Sequence, residues 1–201
     1  MNVQGALRHP LLALMLAAGM TVWNAAAPAA QEDRFFRYVK KVGRAAVEYW
    51  DADIHVVAAY YYSQRNHESR WLLVETAVST TRNMTIDRRN ITLVTPAGRA
   101  VGLATQVRFA KDINRVQALL QNASVTRHDL LSYFSQRSGQ EEMRLFALPG
   151  DIVLTNFVTD VHHVAVGDLF FESPTGAWEA GVHSLVIERD GVRASLPIDL
   201  E

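Results

Sequence analysis

Apolar residues recur along this chain with two different periods, and the places where the period changes mark out its elements. Between Glu32 and about Arg44, the side chains of Phe35, Val39, Val42 and Ala46 stand at i, i+4, i+7 and i+11, the spacing of one helical stripe. This predicts a short amphipathic helix within residues 31–50, with 45–50 equally compatible with entry into a first strand. From Asp53 the period shortens to two. Residues 53–63 (DIHVVAAYYYS) and 71–80 (WLLVETAVST) are rich in β-branched and aromatic residues and read as strands. In the second, Leu72, Val74 and Val78 alternate with the charged Glu75, which predicts a strand with one buried face. The polar stretch 64–69 joins the two as a hairpin loop, and strands at 90–95 and 99–104 meet around the turn Pro96-Ala97-Gly98.

The helical period then returns. Asp112 stands where a helix cap belongs, ahead of a stripe formed by Ile113, Val116, Leu119 and Leu120. Thr126-Arg127-His128-Asp129 reads as a variant capping box before Leu130, Leu131, Tyr133 and Phe134, so a helical insertion is expected near 112–134. After an exposed loop at 135–140, strands resume at 142–147, 152–157 and 162–166. Two more, 182–189 and 192–200, are joined across Asp190-Gly191, a strong two-residue hairpin signal. Leu185 and Ile187 share one face of the first, and Val192, Ala194, Leu196 and Ile198 share one face of the second. The chain is therefore expected to be mainly β, with an antiparallel two-sheet sandwich over residues 51–201.

The first 30 residues have a different character. Arg8 and His9 precede a mostly apolar run from Leu11 to Trp23, and residues 25–30 (AAAPAA) offer small-residue cleavage sites, the pattern of a secretory signal peptide cut near Ala27–Ala30. The run is short of the ~20 residues that a bilayer span requires, and no second long apolar stretch follows, so no membrane span is expected in the mature chain. A periplasmic or secreted, bacterial location follows from this reading. The chain has no cysteine, which rules out disulfides and thiolate metal sites and leaves packing and hydrogen bonds to hold the fold. Twenty basic and 21 acidic residues give a net charge of −1, and the basic residues are scattered, so nucleic acid is not the expected partner.

One block carries a resemblance. Residues 174–185 (PTGAWEAGVHSL), followed by the Asp190-Gly191 hairpin, are similar to the closing hairpin of exported bacterial immunoglobulin-like domains, in which a Trp-x-x-Gly turn precedes a strand with an aromatic residue where His183 stands here. The stretch 72–104 is similar in style. The resemblance implies an immunoglobulin-like sandwich and brings no catalytic residue with it, while the inserted helices depart from a minimal domain of that kind.

The chemistry-bearing residues point to binding more than to catalysis. No G-x-S-x-G turn, S-x-x-K pair, H-E-x-x-H helix or phosphate-binding loop is present, and no cofactor is implied. The paired carboxylates Asp51/Asp53 and Glu141/Glu142 read as solvated strand-end charges. His162 and His163 are adjacent, so in a regular strand they face opposite sides and do not readily share one ion. A metal-binding or hydrolytic alternative would use one of them with His183. The run Tyr60, Tyr61 and Tyr62, expected on a strand, sends rings to both faces and offers an aromatic contact surface. Phe170, Phe171 and Trp178 are expected in or beside a long connection from Gly167 to Gly181, where loop position favours contact. His163 and His183 complete the candidate binding residues. The expected function is that of an exported, non-enzymatic binding or accessory domain meeting another envelope or extracellular protein.

Overall fold

The computed structural model describes residues 38–67, 69–134 and 139–201. The expected leader at 1–30, the start of the expected helix at 31–37 and most of the expected loop at 135–140 lie outside the described residues. The chain begins with strands β1 (Tyr38–Val42), β2 (Ala46–Trp50) and β3 (Ile54–Ala59), a helical turn α1 (Tyr61–Arg65), then β4 (Trp71–Thr80), β5 (Met84–Asp87), β6 (Ile91–Val94) and β7 (Ala100–Gly102). Helices α2 (Gln106–Lys111) and α3 (Ile113–Ala123) follow, and a short 3-10 turn at Leu130–Tyr133 ends the helical stretch. The strands resume as β8 (Gly139–Glu142), β9 (Asn156–Thr159), β10 (His163–Glu172), β11 (Gly181–Arg189) and β12 (Val192–Leu200).

The fold is mainly β. A six-stranded sheet runs in the order β1-β2-β3-β4-β10-β8, a four-stranded sheet in the order β12-β11-β6-β7, and β5 pairs with β9 alone. All pairs are antiparallel except β8 with β10. Among the described residues no helix is long and apolar enough to cross a membrane.

The two larger sheets contribute to one apolar core. Leu72, Val74 and Val78 of β4, Leu169 and Phe171 of β10, Leu185 and Ile187 of β11, and Val192, Ala194, Leu196, Ile198 and Leu200 of β12 all belong to it. The turn between β11 and β12 has positive φ at both Asp190 (49°) and Gly191 (81°), the conformation that a two-residue turn needs to match strand twist. β12 thus keeps the strict alternation read from its sequence, one face buried and the other wetter.

β4 departs from its expected pattern, because all ten of its residues are buried. Its second face carries Trp71 and Leu73, which pack with Phe170 of β10 against Phe109 of α2 and Val116, Leu119 and Ala123 of α3. Further along the same face, Ala77 packs with Val57, Ala59 and Val164 under Leu130 and Phe134. The helical insertion is therefore the cover of the six-stranded sheet. It starts earlier than expected, at α2, where Thr105 accepts the Arg108 amide at 3.2 Å as an N-cap. Asp112 forms no cap bond and instead accepts the Trp71 indole N–H at 3.1 Å, fastening the helices to β4.

Three expectations are corrected. The helix expected within 31–50 gives way, over its described part, to the hairpin of β1 and β2, with Val42 paired to Ala46. The apolar stripe is interrupted by Gly43, whose φ of +65° turns the chain back, and a Cβ there would lie 2.7 Å from the Tyr61 hydroxyl. The strand expected over 53–63 ends at Ala59. The strands expected at 142–147, 152–157 and 162–166 are displaced to β8, β9 and the longer β10, because an apolar run alone does not set its own register.

Candidate functional site

The sequence-predicted contact residues scatter. Since α1 begins at Tyr61, the three tyrosines fan out instead of alternating, with Tyr60 as the N-cap and Tyr61 and Tyr62 about 100° apart around the helix. Tyr60 is buried in the inter-sheet core, Tyr61 packs where that core meets the Leu130 cluster, and Tyr62 packs against the α3 cluster. Phe170 and Phe171 are not in a loop. They sit within β10, one on each face, and both are buried. Trp178 does lie in the connection before β11, yet it is only 4% exposed. Burial withdraws Tyr60, Phe170, Phe171 and Trp178 from any surface as the fold stands.

His183 points into the inter-sheet core side of β11 and is fully buried. Its Nδ1 lies 3.2 Å from the Gly181 carbonyl, to which it donates, and its ring stands edge-on to Trp178 with centroids 5.7 Å apart. Burial pushes its pKa below the ordinary value, so the ring is neutral at pH 7. His163 is exposed at the start of β10, where its Nδ1 meets Asp160 at 3.0 Å. Asp160 also accepts the amides of His162 and His163 at 2.7 and 2.8 Å. These bonds, the His162 amide foremost, hold the Asp160 carboxyl below its usual range. Of the histidines of the alternative metal reading, His163 and His183 thus stand on different sheets, each with its own partners, and His162 lies in the bend before β10. Among the described residues no group of three or more His, Asp or Glu side chains is placed to hold a metal ion.

Two other regions stand out. The first is the loop 148–154 (LPGDIVL), which follows β8 and leads to β9. Leu148, Ile152, Val153 and Leu154 are all exposed, Ile152 at 69%. The base of the loop is pinned from several sides. The Gln106 side chain donates to the Ala147 carbonyl at 2.8 Å and accepts the Ala147 amide at 3.2 Å. Arg88 donates to the carbonyls of Leu145 and Ala104 and lies over the Phe146 ring at 4.4 Å. The Leu154 amide donates to the Arg144 carbonyl at 2.7 Å. Beside the loop runs an open groove of about 580 Å³, whose lining includes Glu142, Arg144, Phe146 and Ile152. A short, well-anchored stretch therefore presents four apolar side chains to water.

The second region is a buried carboxyl. Glu75 of β4 lies on the covered face, between the Trp71/Leu73 and Ala77 clusters, and is only 4% exposed. One of its oxygens accepts the His128 amide at 3.2 Å. Directly opposite, in β10, stands Asp168, whose two oxygens take both terminal nitrogens of Arg127 at 3.0 and 2.6 Å. Burial raises the Glu75 pKa to about 7, with Asp168 pushing the same way and the His128 amide and Arg127 opposing. A cavity of about 140 Å³ bordered by Glu75, Arg127, His128 and Asp168 adjoins the carboxyl.

Comparison with protein-family models, with curated proteins and with solved structures found no match. The apolar loop had a sequence signal that went unread: Pro149-Gly150-Asp151 is a turn, and Ile152-Val153-Leu154 is three consecutive apolar residues without alternation. Glu75 carried none, since a lone acid in an alternating strand reads as its wet face.

Proposed function

We propose that this protein is an exported, non-enzymatic binding or accessory domain that contacts another envelope or extracellular protein through the loop 148–154. The observation that carries the reading is the exposure of Leu148, Ile152, Val153 and Leu154 on a loop whose base is held by Gln106, Arg88 and Arg144. A rigid framework that presents a variable loop is the common arrangement for recognition, and clustered apolar side chains left in water favour a protein surface that would cover them. The domain is an immunoglobulin-like sandwich with a helical insertion, a reading supported by the core shared between the two larger sheets and by the closing hairpin of β11 and β12. Export rests on the leader pattern of residues 1–30.

The test is a photo-crosslinking residue at position 153, introduced in the source cell, followed by mass spectrometry of the captured species. One stoichiometric envelope or extracellular partner is expected, and it should disappear in Ile152→Asp combined with Leu154→Asp while the thermal midpoint is unchanged. A chain that stays monomeric and uncrosslinked, or a capture indifferent to both substitutions, would overturn the reading.

A further inference from the structure

The segment from Arg127 to Phe134 lies on the outer face of the six-stranded sheet and closes over Glu75. Its hold on the sheet consists of a few identifiable contacts. Leu130 and Phe134 are buried against Val57, Ala59, Ala77 and Val164. Arg127 is paired with Asp168, and the His128 amide donates to Glu75. Within the segment, Asp129 accepts the Leu131 amide at 3.2 Å and His128 Nε2 meets the Tyr133 hydroxyl at 2.8 Å.

The charges around the carboxyl are unbalanced. Asp168 faces Glu75 across the β4–β10 ladder, and like charges directly opposed on a sheet repel. Arg127 is the cation in reach, and both its terminal nitrogens are already engaged by Asp168. His128 supplies one backbone N–H, and Asp129 adds a further negative charge on the same segment. The rings of Tyr61 of α1 and Tyr133 bring no cation to the carboxyl, with the His128 ring 5.4 and 5.7 Å from theirs. The Glu48–His55 pair at 2.9 Å stands beyond, where His55 meets the Phe134 ring at 4.2 Å. A protonated Glu75 fits this setting. Among the described residues, an ionised one has the His128 amide and a nearby guanidinium already engaged by Asp168 to replace its water, and an undercompensated buried charge is strongly unfavourable.

The six-stranded sheet lies beneath the carboxyl, and among the described residues the segment 127–134 lies over it, beside the small cavity bordered by Glu75, Arg127, His128 and Asp168. We propose that the segment 127–134 is a proton-operated cover, docked while the Glu75 carboxyl holds its proton and released from the sheet when that proton leaves. The elevated pKa of the docked state, about 7, places the change near neutrality, and hydration in the released state returns the group to ordinary carboxylate behaviour. Release would uncover the apolar strip Val57, Ala59, Ala77 and Val164.

The experiment is amide hydrogen exchange of the purified chain from about pH 5 to about pH 8, read on peptides covering 127–134 and corrected for the intrinsic pH dependence of exchange. The opening constant should rise about tenfold per pH unit up to about pH 6.5 and level off above about pH 7.5. Glu75→Gln should abolish the rise and keep the segment protected at every pH, whereas His128→Gln, which retains the backbone donor, should leave the rise intact. Asp168→Asn, which frees Arg127 for Glu75, should reduce the rise severalfold, and it serves as the readout if Glu75→Gln fails to fold. A flat wild-type profile would overturn the proposal. So would a rise that survives both Glu75→Gln and Asp168→Asn, or one that vanishes in His128→Gln.

Discussion

The two faces of the six-stranded sheet are built from the same strands and meet different solvents. The inner face joins the four-stranded sheet in a core that is almost entirely aliphatic and aromatic, with the phenols of Tyr49 and Tyr60 and the His183 ring among its buried polar groups. The outer face meets helices and 3-10 turns, and there the apolar clusters are divided by Glu75, with Asp168 beside it. A sheet packed on a sheet matches two regular surfaces and leaves little room for a charge. A sheet covered by irregular segments has backbone amides and flexible side chains on hand, so it can hold a carboxyl at the cost of a shifted pKa.

Truncation in the core between the inner face and the four-stranded sheet should have the largest effect. Leu196→Ala, at a fully buried site between two regular sheets, is expected to cost about 2–5 kcal/mol in denaturant unfolding, because neither sheet can collapse into the space. A loss below about 1 kcal/mol would mean that the two faces are equally yielding.

The titration of the two faces should have opposite signs. Glu75 binds its proton more tightly folded than unfolded, so its contribution is fully present below about pH 4.5 and is lost as pH rises towards about 7, by at most roughly 3 kcal/mol. His183 has its folded pKa lowered, so the unfolded chain takes up a proton first and stability falls as pH drops below the ordinary histidine value near 6.5. Urea midpoints measured across this range should flatten on the neutral side in Glu75→Gln, while the acid-side loss persists. A neutral-side loss that remains in Glu75→Gln would assign it to another group.

Leu130→Ala, on the cover, should cost about 2 kcal/mol, the low end for a buried leucine, because a short 3-10 segment can settle into the gap. Amide exchange should quicken in 127–134 and leave β12 unaffected. The smallest effect is expected for Thr105→Ala, about 1 kcal/mol, through loss of the α2 cap, with the change in exchange confined to α2 and α3.

Particular residues show how far the sequence could be read. β12 and the Asp190-Gly191 turn were legible because their signals are local: a period of two, and two positions with positive φ. The α3 stripe was legible for the same reason. Gly43 was the unread warning against a helix across 38–46, since a left-handed residue there reverses the chain. The tyrosine run was misassigned because Tyr60–Tyr62 have the composition of a strand, and only the end of β3 at Ala59 decides that they fan out.

The sequence by itself determined that the chain is mainly β, that the helical stretch falls between two groups of strands, and that cysteine chemistry is absent. Those conclusions rest on side-chain period, turn residues and composition, which act over a few neighbours. The tertiary structure decided that the helices cover β4, that Phe170, Phe171 and Trp178 belong to the interior, that Ile152-Val153-Leu154 remain in water, and that Glu75 is shut away beside Asp168. These depend on which segment packs over which face. Burial is a property of two surfaces in contact, and no single strand records what will lie on top of it.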